Sequence, residues 1–255
     1  MQLSTFTRPL LWLGIALLGG LGQAFASNNG TLELMQVNAC RATSSLPLYR
    51  GEGFQKEHAQ RMEEDLNALT RALSALPEQP QALRASHQEL VTQLRRGVSF
   101  GHSEDDMPWR YPEELAGALR GFLTATRSQY VDGTPPEAAI KVEYLAVQYL
   151  SRAYLGNFEI AREQPDNYLG QDERILLPAI ESELAELDAK SNPAVAKLKT
   201  RWHFLKNALG DMNSQSNALV SSSGRPFAPM VVDRHARSLT NQWLSLQPVL
   251  ANNGY

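Results

Sequence analysis

Five histidines, a single cysteine and one glutamate set in an apolar helix are the residues with chemistry to offer, and their spacing restricts what that chemistry can be. A di-iron carboxylate bundle needs Glu-x-x-His on two helices. None of His58, His87, His102, His203 and His235 has a glutamate three residues before it. The zinc-protease pattern His-Glu-x-x-His is absent, and so is the Cys-x-x-Cys-His that attaches haem covalently. Met35 and His235 are the thioether and imidazole that a non-covalent haem site would draw on, but Met35 reads more simply as a core filler. Nucleophilic catalysis has no Gly-x-Ser-x-Gly elbow, and Ser221 to Ser223 before Gly224 have linker composition. By motif, no catalytic residue, metal ligand or cofactor is expected.

Three other groups carry functional expectations. Glu143 falls between Leu150 and Tyr154 on a helix that is otherwise apolar on that side. An unpaired carboxylate in a core costs several kcal/mol, about 3 or more, so it needs a partner or a raised pKa. An arginine from another helix is the expected partner, with general-acid chemistry the alternative. Residues 97–112 break every period and bring together His102, Asp105, Asp106, Trp109 and Tyr111; loops of this length are often functional. His102 with Glu104, Asp105 and Asp106 has metal-ligating atoms, although a solvated acidic loop more often holds no ion. The third group is basic: Lys197, Lys199, Arg201, His203 and Lys206 lie largely off the apolar stripe of their helix, and Arg225, Arg234 and Arg237 follow. They are either a solvated face or a surface for an anionic partner.

Charge is divided along the chain. Residues 27–190 carry 16 Lys and Arg against 25 Asp and Glu, whereas residues 191–255 carry seven against two. The C-terminal helices can therefore pack against the acidic part of their own chain or offer their charge elsewhere.

The first 26 residues read as a cleavable signal peptide. Arg8 supplies the positive start, Leu10 to Gly22 is uncharged and apolar, and Ala24-Phe25-Ala26 offers small residues for cleavage before Ser27. Thirteen apolar residues rise only about 20 Å as a helix, short of a roughly 30 Å hydrocarbon core. The expected product is an exported, periplasmic chain without a transmembrane segment, for which nucleic acid is not a partner. Cys40 is the only cysteine, so no internal disulfide can form and packing must supply stability.

The elements that must position these groups are helices. Leu177, Ile180, Leu184 and Leu187 form one stripe and, after Ser191-Asn192-Pro193, Val195, Leu198, Trp202, Leu205, Leu209 and Met212 form another. That spacing predicts an antiparallel hairpin around which the chain is organised. Met62 to Leu76, Leu83 to Leu94, Leu115 to Phe122 and Val232 to Leu246 give further stripes. Pro135-Pro136 opens the most apolar helix, running to about Leu155. Leu32, Met35 and Ala39 suggest only a short helix that ends before Pro47. No strand is expected. The fold class is all-α: six or seven mostly antiparallel helices with coiled-coil-like seams, in one elongated domain over 27–255 or two sub-bundles meeting near 156–170. The functional expectation is a non-catalytic binding protein of the cell envelope, an assembly factor, adaptor or solute sensor with an anionic or protein partner. The alternative is an enzyme or a metal- or cofactor-binding bundle with its site at Glu143 or the 97–112 loop.

Overall fold

The computed structural model describes residues 10–130, 137–156, 168–190, 192–213, 218–219 and 228–252. Helices account for nearly all of them: α1 (Leu10–Gly51), α2 (Lys56–Ala75), α3 (Gln81–Ser99), α4 (Tyr111–Arg127), α5 (Ala138–Tyr154), α6 (Glu173–Ala185), α7 (Pro193–Leu209) and α8 (Pro229–Asn252). The fold is all-α, with one helix more than the upper expectation. Pro135-Pro136, the serines at 221–223 and Arg225 lie outside the described residues, as do residues 1–9 and the side chains of residues 10–27, and so every side chain of the expected signal peptide. Among the described residues no helix is long and apolar enough to cross a membrane.

Local signals start the helices where the sequence places them. The Asn192 side chain accepts a hydrogen bond from the Ala194 amide at 3.0 Å, with Pro193 in the first turn of α7. Asp172 caps α6 in the same way, accepting from the Arg174 amide at 3.0 Å. Pro112, Glu113 and Glu114 occupy the first turn of α4, where the missing proline donor and the negative charges both suit exposed amides. The stripes of α2, α3, α4, α7 and α8 all face inward, and Trp202 is only 4 % exposed.

The centre is not the hairpin that the spacing singles out. Helix α6 lies chiefly against α5, and α7 chiefly against α8. The two hairpin arms meet through the Lys206 to Glu181 ion pair and a hydrogen bond from Lys199 Nζ to the Leu187 carbonyl, 2.7 Å long. The organising pair is α1 with α5. Helix α5 is buried from Ala138 to Arg152 apart from Lys141. Helix α1 runs through Pro47 to Gly51, much longer than expected, and packs most extensively on α2 and α5. Its Gln36, Thr43, Ser44 and Ser45 are as buried as Leu32, Leu46 and Leu48, whereas Leu34 is exposed, so polar and apolar positions do not sort into an apolar stripe. Proline costs this helix a backbone donor, and packing all round offsets it. Met212, expected as the last residue of α7's stripe, instead belongs to a two-residue antiparallel ladder in which Met212–Asn213 pairs with Ala218–Leu219.

One glycine fixes how α3 meets α4. A Cβ at Gly97 would lie 2.1 Å from Tyr111 Oη and 2.5 Å from Leu46 Cδ2. Tyr111 is fully buried and its hydroxyl donates to the Gln93 carbonyl at 2.7 Å, so the ring cannot move aside without breaking that bond. Gly97→Ala is expected to lower stability by about 1–3 kcal/mol in urea denaturation through overpacking. An unchanged midpoint would show that the tyrosine swings away freely.

Candidate functional site

Four helices bring six charges into one buried circuit. Glu143 on α5 is 1 % exposed and accepts a hydrogen bond from Arg41 Nε of α1 at 2.7 Å. Arg41 Nη2 also donates to Asn241 Oδ1 at 2.8 Å and to the Arg237 carbonyl at 3.2 Å, both on α8. Arg237 returns the contact: Nη2 donates to the Arg41 carbonyl and to Ser45 Oγ, each at 2.9 Å, and Nε donates to Asp233 Oδ1 at 3.0 Å. Its Nη1 is 2.8 Å from Asp65 Oδ2 of α2, near enough to pair charges. Arg61 on α2 completes the set, 3.1 Å from Asp233 Oδ2 and 3.3 Å from His58 Nδ1. Arg41, Arg61 and Arg237 thus alternate with Glu143, Asp65 and Asp233, and the charges cancel.

Burial sets the electrostatics of this circuit. It lifts the Glu143 and Asp65 carboxyls above their ordinary values, against the pull of Arg41 and Arg237 on the first and chiefly of Arg237 on the second. For Arg237 burial works downward, but Asp233, Asp65 and Glu143 outweigh it and raise its pKa. Burial and then Arg61 lower His58. Cys40 is buried nearby, and burial and then Glu143 push its thiol up, which disfavours the thiolate. The expected arginine partner of Glu143 is Arg41. Arg237, expected on an outward basic surface, turns inward instead, because the i,i+4 spacing from Asp233 gives it a partner on its own helix and Asp65 gives it another.

A second polar cluster has no counterpart in the sequence expectations. Gln36 Nε2 donates to Tyr130 Oη at 2.9 Å, and Tyr168 Oη donates to Gln36 Oε1 at 2.8 Å. Tyr144 meets Tyr168 edge to face, with centroids 5.3 Å apart, and Tyr144 Oη accepts from the Gly170 amide at 3.1 Å. Arg127 lies 5.4 Å from the Tyr168 ring and pairs with Glu137 at 2.6 Å. Burial lifts the Tyr144 phenol to about 12, so it stays neutral. The signal that could have exposed this cluster is Gln36 in a helix whose neighbouring positions are apolar.

The irregular segment is shorter than 97–112, since α3 extends to Ser99 and α4 begins at Tyr111. His102 stacks on Phe54, with ring centroids 3.9 Å apart. Phe54 has a left-handed φ of 59°, an uncommon conformation for this residue, directly after Gly53 at 79°. Arg50 sits 5.3 Å from the Phe54 ring and donates to the Gly97 and Gly101 carbonyls at 3.2 and 3.0 Å. Asp106 Oδ2 accepts from the Ser103 amide at 2.9 Å and so closes the turn. Asp105 is exposed, and the Glu104 side chain lies outside the described residues. Tyr111, expected as a loop residue open to a ligand, is a buried residue at the start of α4. Trp109 is 85 % exposed with Arg110 5.5 Å from its ring. Among the described residues no group of three or more His, Cys, Asp or Glu could hold a metal ion.

The remaining expected residues lie on α7 and α8. Helices α7 and α8 run antiparallel: Gln242 donates to the Ala194 carbonyl at 2.8 Å, Arg201 bonds Ser238, and Phe204 meets His235 at 4.6 Å between ring centroids. Lys197, Arg201, His203 and Arg234 are exposed, and Phe204 and Met230 are 42 % and 45 % exposed beside them. Helix α7 contains no acidic residue, and the single one on α8, Asp233, is buried. Lys206 is held by Glu181 of α6, and half-buried Lys199 points back to Leu187. Burial and then Arg234 and Arg201 lower the His235 pKa, which keeps that ring neutral at pH 7. No family model, curated protein or solved structure matches the chain.

Proposed function

We propose that this chain is an exported helical-bundle protein of the cell envelope that acts by binding an anionic partner through the outer face of α7 and α8. The observation that carries the reading is the sign of that face: Lys197, Arg201 and Arg234 are exposed on two helices that expose no acid. Like charges gathered without compensation raise the local potential and draw in counter-charge. Glu143, the alternative centre for chemistry, is closed in by Arg41 and supports a scaffolding role. Residues 1–26 support export by their composition.

Immobilised poly-L-glutamate tests the face directly. The chain is expected to bind at low salt and release as salt rises, because at 0.1 M exposed charges more than about 10 Å apart are largely screened. Lys197→Glu/Arg201→Glu/Arg234→Glu is expected to abolish retention while the helical circular dichroism stays unchanged. Equal retention of the variant would overturn the reading. Export is tested separately by N-terminal sequencing of the periplasmic protein, expected to begin at Ser27; an intact Met1 in the cytosol would overturn that part.

A further inference from the structure

We infer that the anionic partner is a lipid headgroup layer, with α7 and α8 lying along an acidic membrane surface as a peripheral contact; this rests on the reading of their outer face as an anion-binding surface. Two features beyond charge point there. First, Phe204 and Met230 are large apolar side chains left partly exposed on the same two helices as the cations. Apolar side chains rimmed by Lys and Arg are the composition that settles at the boundary between headgroups and acyl chains, where the apolar parts enter the interface and the cations meet phosphate. A protein partner would have to supply a concave surface matched to this ridge, whereas a fluid headgroup layer conforms to it.

Second, the cations are not organised for a defined ligand. Lys197, Arg201 and Arg234 are exposed and spread along two helices. A site for a small anion gathers donors around one centre. A charged plane needs only that cations be present on one side and acids absent, which is what α7 and α8 offer. Each basic residue near such a plane contributes independently, so the effect of removing them is close to cumulative.

Cosedimentation of the full chain with vesicles tests this. Phosphatidylcholine vesicles are compared with vesicles of phosphatidylcholine and phosphatidylglycerol in equal parts. The apolar stretch Leu10 to Gly22 would bind both alike, so the readout is the ratio between them. The ratio is expected to favour the acidic vesicles and to fall with salt. Arg201→Glu/Arg234→Glu is expected to reduce binding to them by at least about thirty-fold, the effect of losing two cations before the two added carboxylates are counted. Phe204→Ser is expected to weaken acidic-vesicle binding and leave poly-L-glutamate binding unchanged, which a merely electrostatic face would not do. If a variant unfolds by circular dichroism, Arg201→Gln/Arg234→Gln replaces it, since these side chains are exposed. Poly-L-glutamate binding that depends on Arg201 and Arg234, with no preference for acidic vesicles, would overturn the lipid assignment and leave the anion-binding reading standing. Indifference of both probes to the charge reversal would overturn both.

Discussion

Arg237→Met is expected to unfold at much lower denaturant than the wild-type chain, losing on the order of 3–5 kcal/mol, the cost of breaking a buried charge network by removing one member. The guanidinium serves Asp233, Asp65, Ser45 and the Arg41 carbonyl at once. Methionine fills much of its volume but donates nothing, so Asp65 loses its closest cation and two further acceptors on α1 lose a donor. Arg234→Met is the matched control. It lies three residues away on the solvent side of the same helix, and its removal is expected to change stability by no more than about 0.5 kcal/mol. A loss below about 1 kcal/mol for Arg237→Met would mean that water enters and serves those acceptors instead.

The second large effect concerns the pair at the centre. Arg41→Met leaves Glu143 buried without its nearest cation and is expected to cost about 3 kcal/mol or more at pH 7. Arg41→Met/Glu143→Leu is expected to recover most of that loss, within about 1 kcal/mol of the wild type, because two well-packed apolar side chains carry no desolvation penalty. Denaturant titrations of the singles and the double measure the cycle; a double variant as unstable as Arg41→Met would sink it. Acidity supplies an independent check. The folded Glu143 carboxyl is raised above its ordinary value of 4.5, so between that value and its higher folded one the folded chain holds more protons than the unfolded chain. The stability Glu143 contributes is therefore fully present below 4.5 and is lost as pH rises through its folded value. Relative to Glu143→Gln, wild type is expected to weaken as pH rises across that window. A difference that is flat with pH, or of the opposite slope, would show that the pair ionises without penalty.

How much of this was legible in the sequence follows from how each helix is buried. Helices buried on one side, such as α2 and α7, must alternate apolar and polar residues, so Met62 to Leu76 and Val195 to Leu209 declared themselves. Helix α1 is buried on most sides between Leu32 and Leu48, so no clean stripe marks it, and Gln36, Ser44 and Pro47 disguised a central element as a short one. A long regular stripe marked the hairpin of α6 and α7, yet the stripe reports only that one face is covered, not how near the middle it lies. Glu143 stood out because a charge in an apolar helix must be answered, but its answer comes from 102 residues away, beyond any local pattern. Arg237 was misplaced although Asp233 four residues earlier offered a clue. Of the expected loop, His102, Asp105, Asp106 and Trp109 are exposed, while Tyr111 was drawn into the core by a hydrogen bond to a carbonyl on α3 that no spacing rule reveals.

The exchange of contacts between Arg41 and Arg237 spans 196 positions, joining the first helix to the last. Synthesis delivers Arg61 and Asp65 long before Asp233 and Arg237, so these two charges must wait in a half-made interior that has no reason to close around them. Closure of the core is thereby tied to the arrival of α8: a product truncated ahead of that helix leaves Asp65 without Arg237 and Arg61 without Asp233.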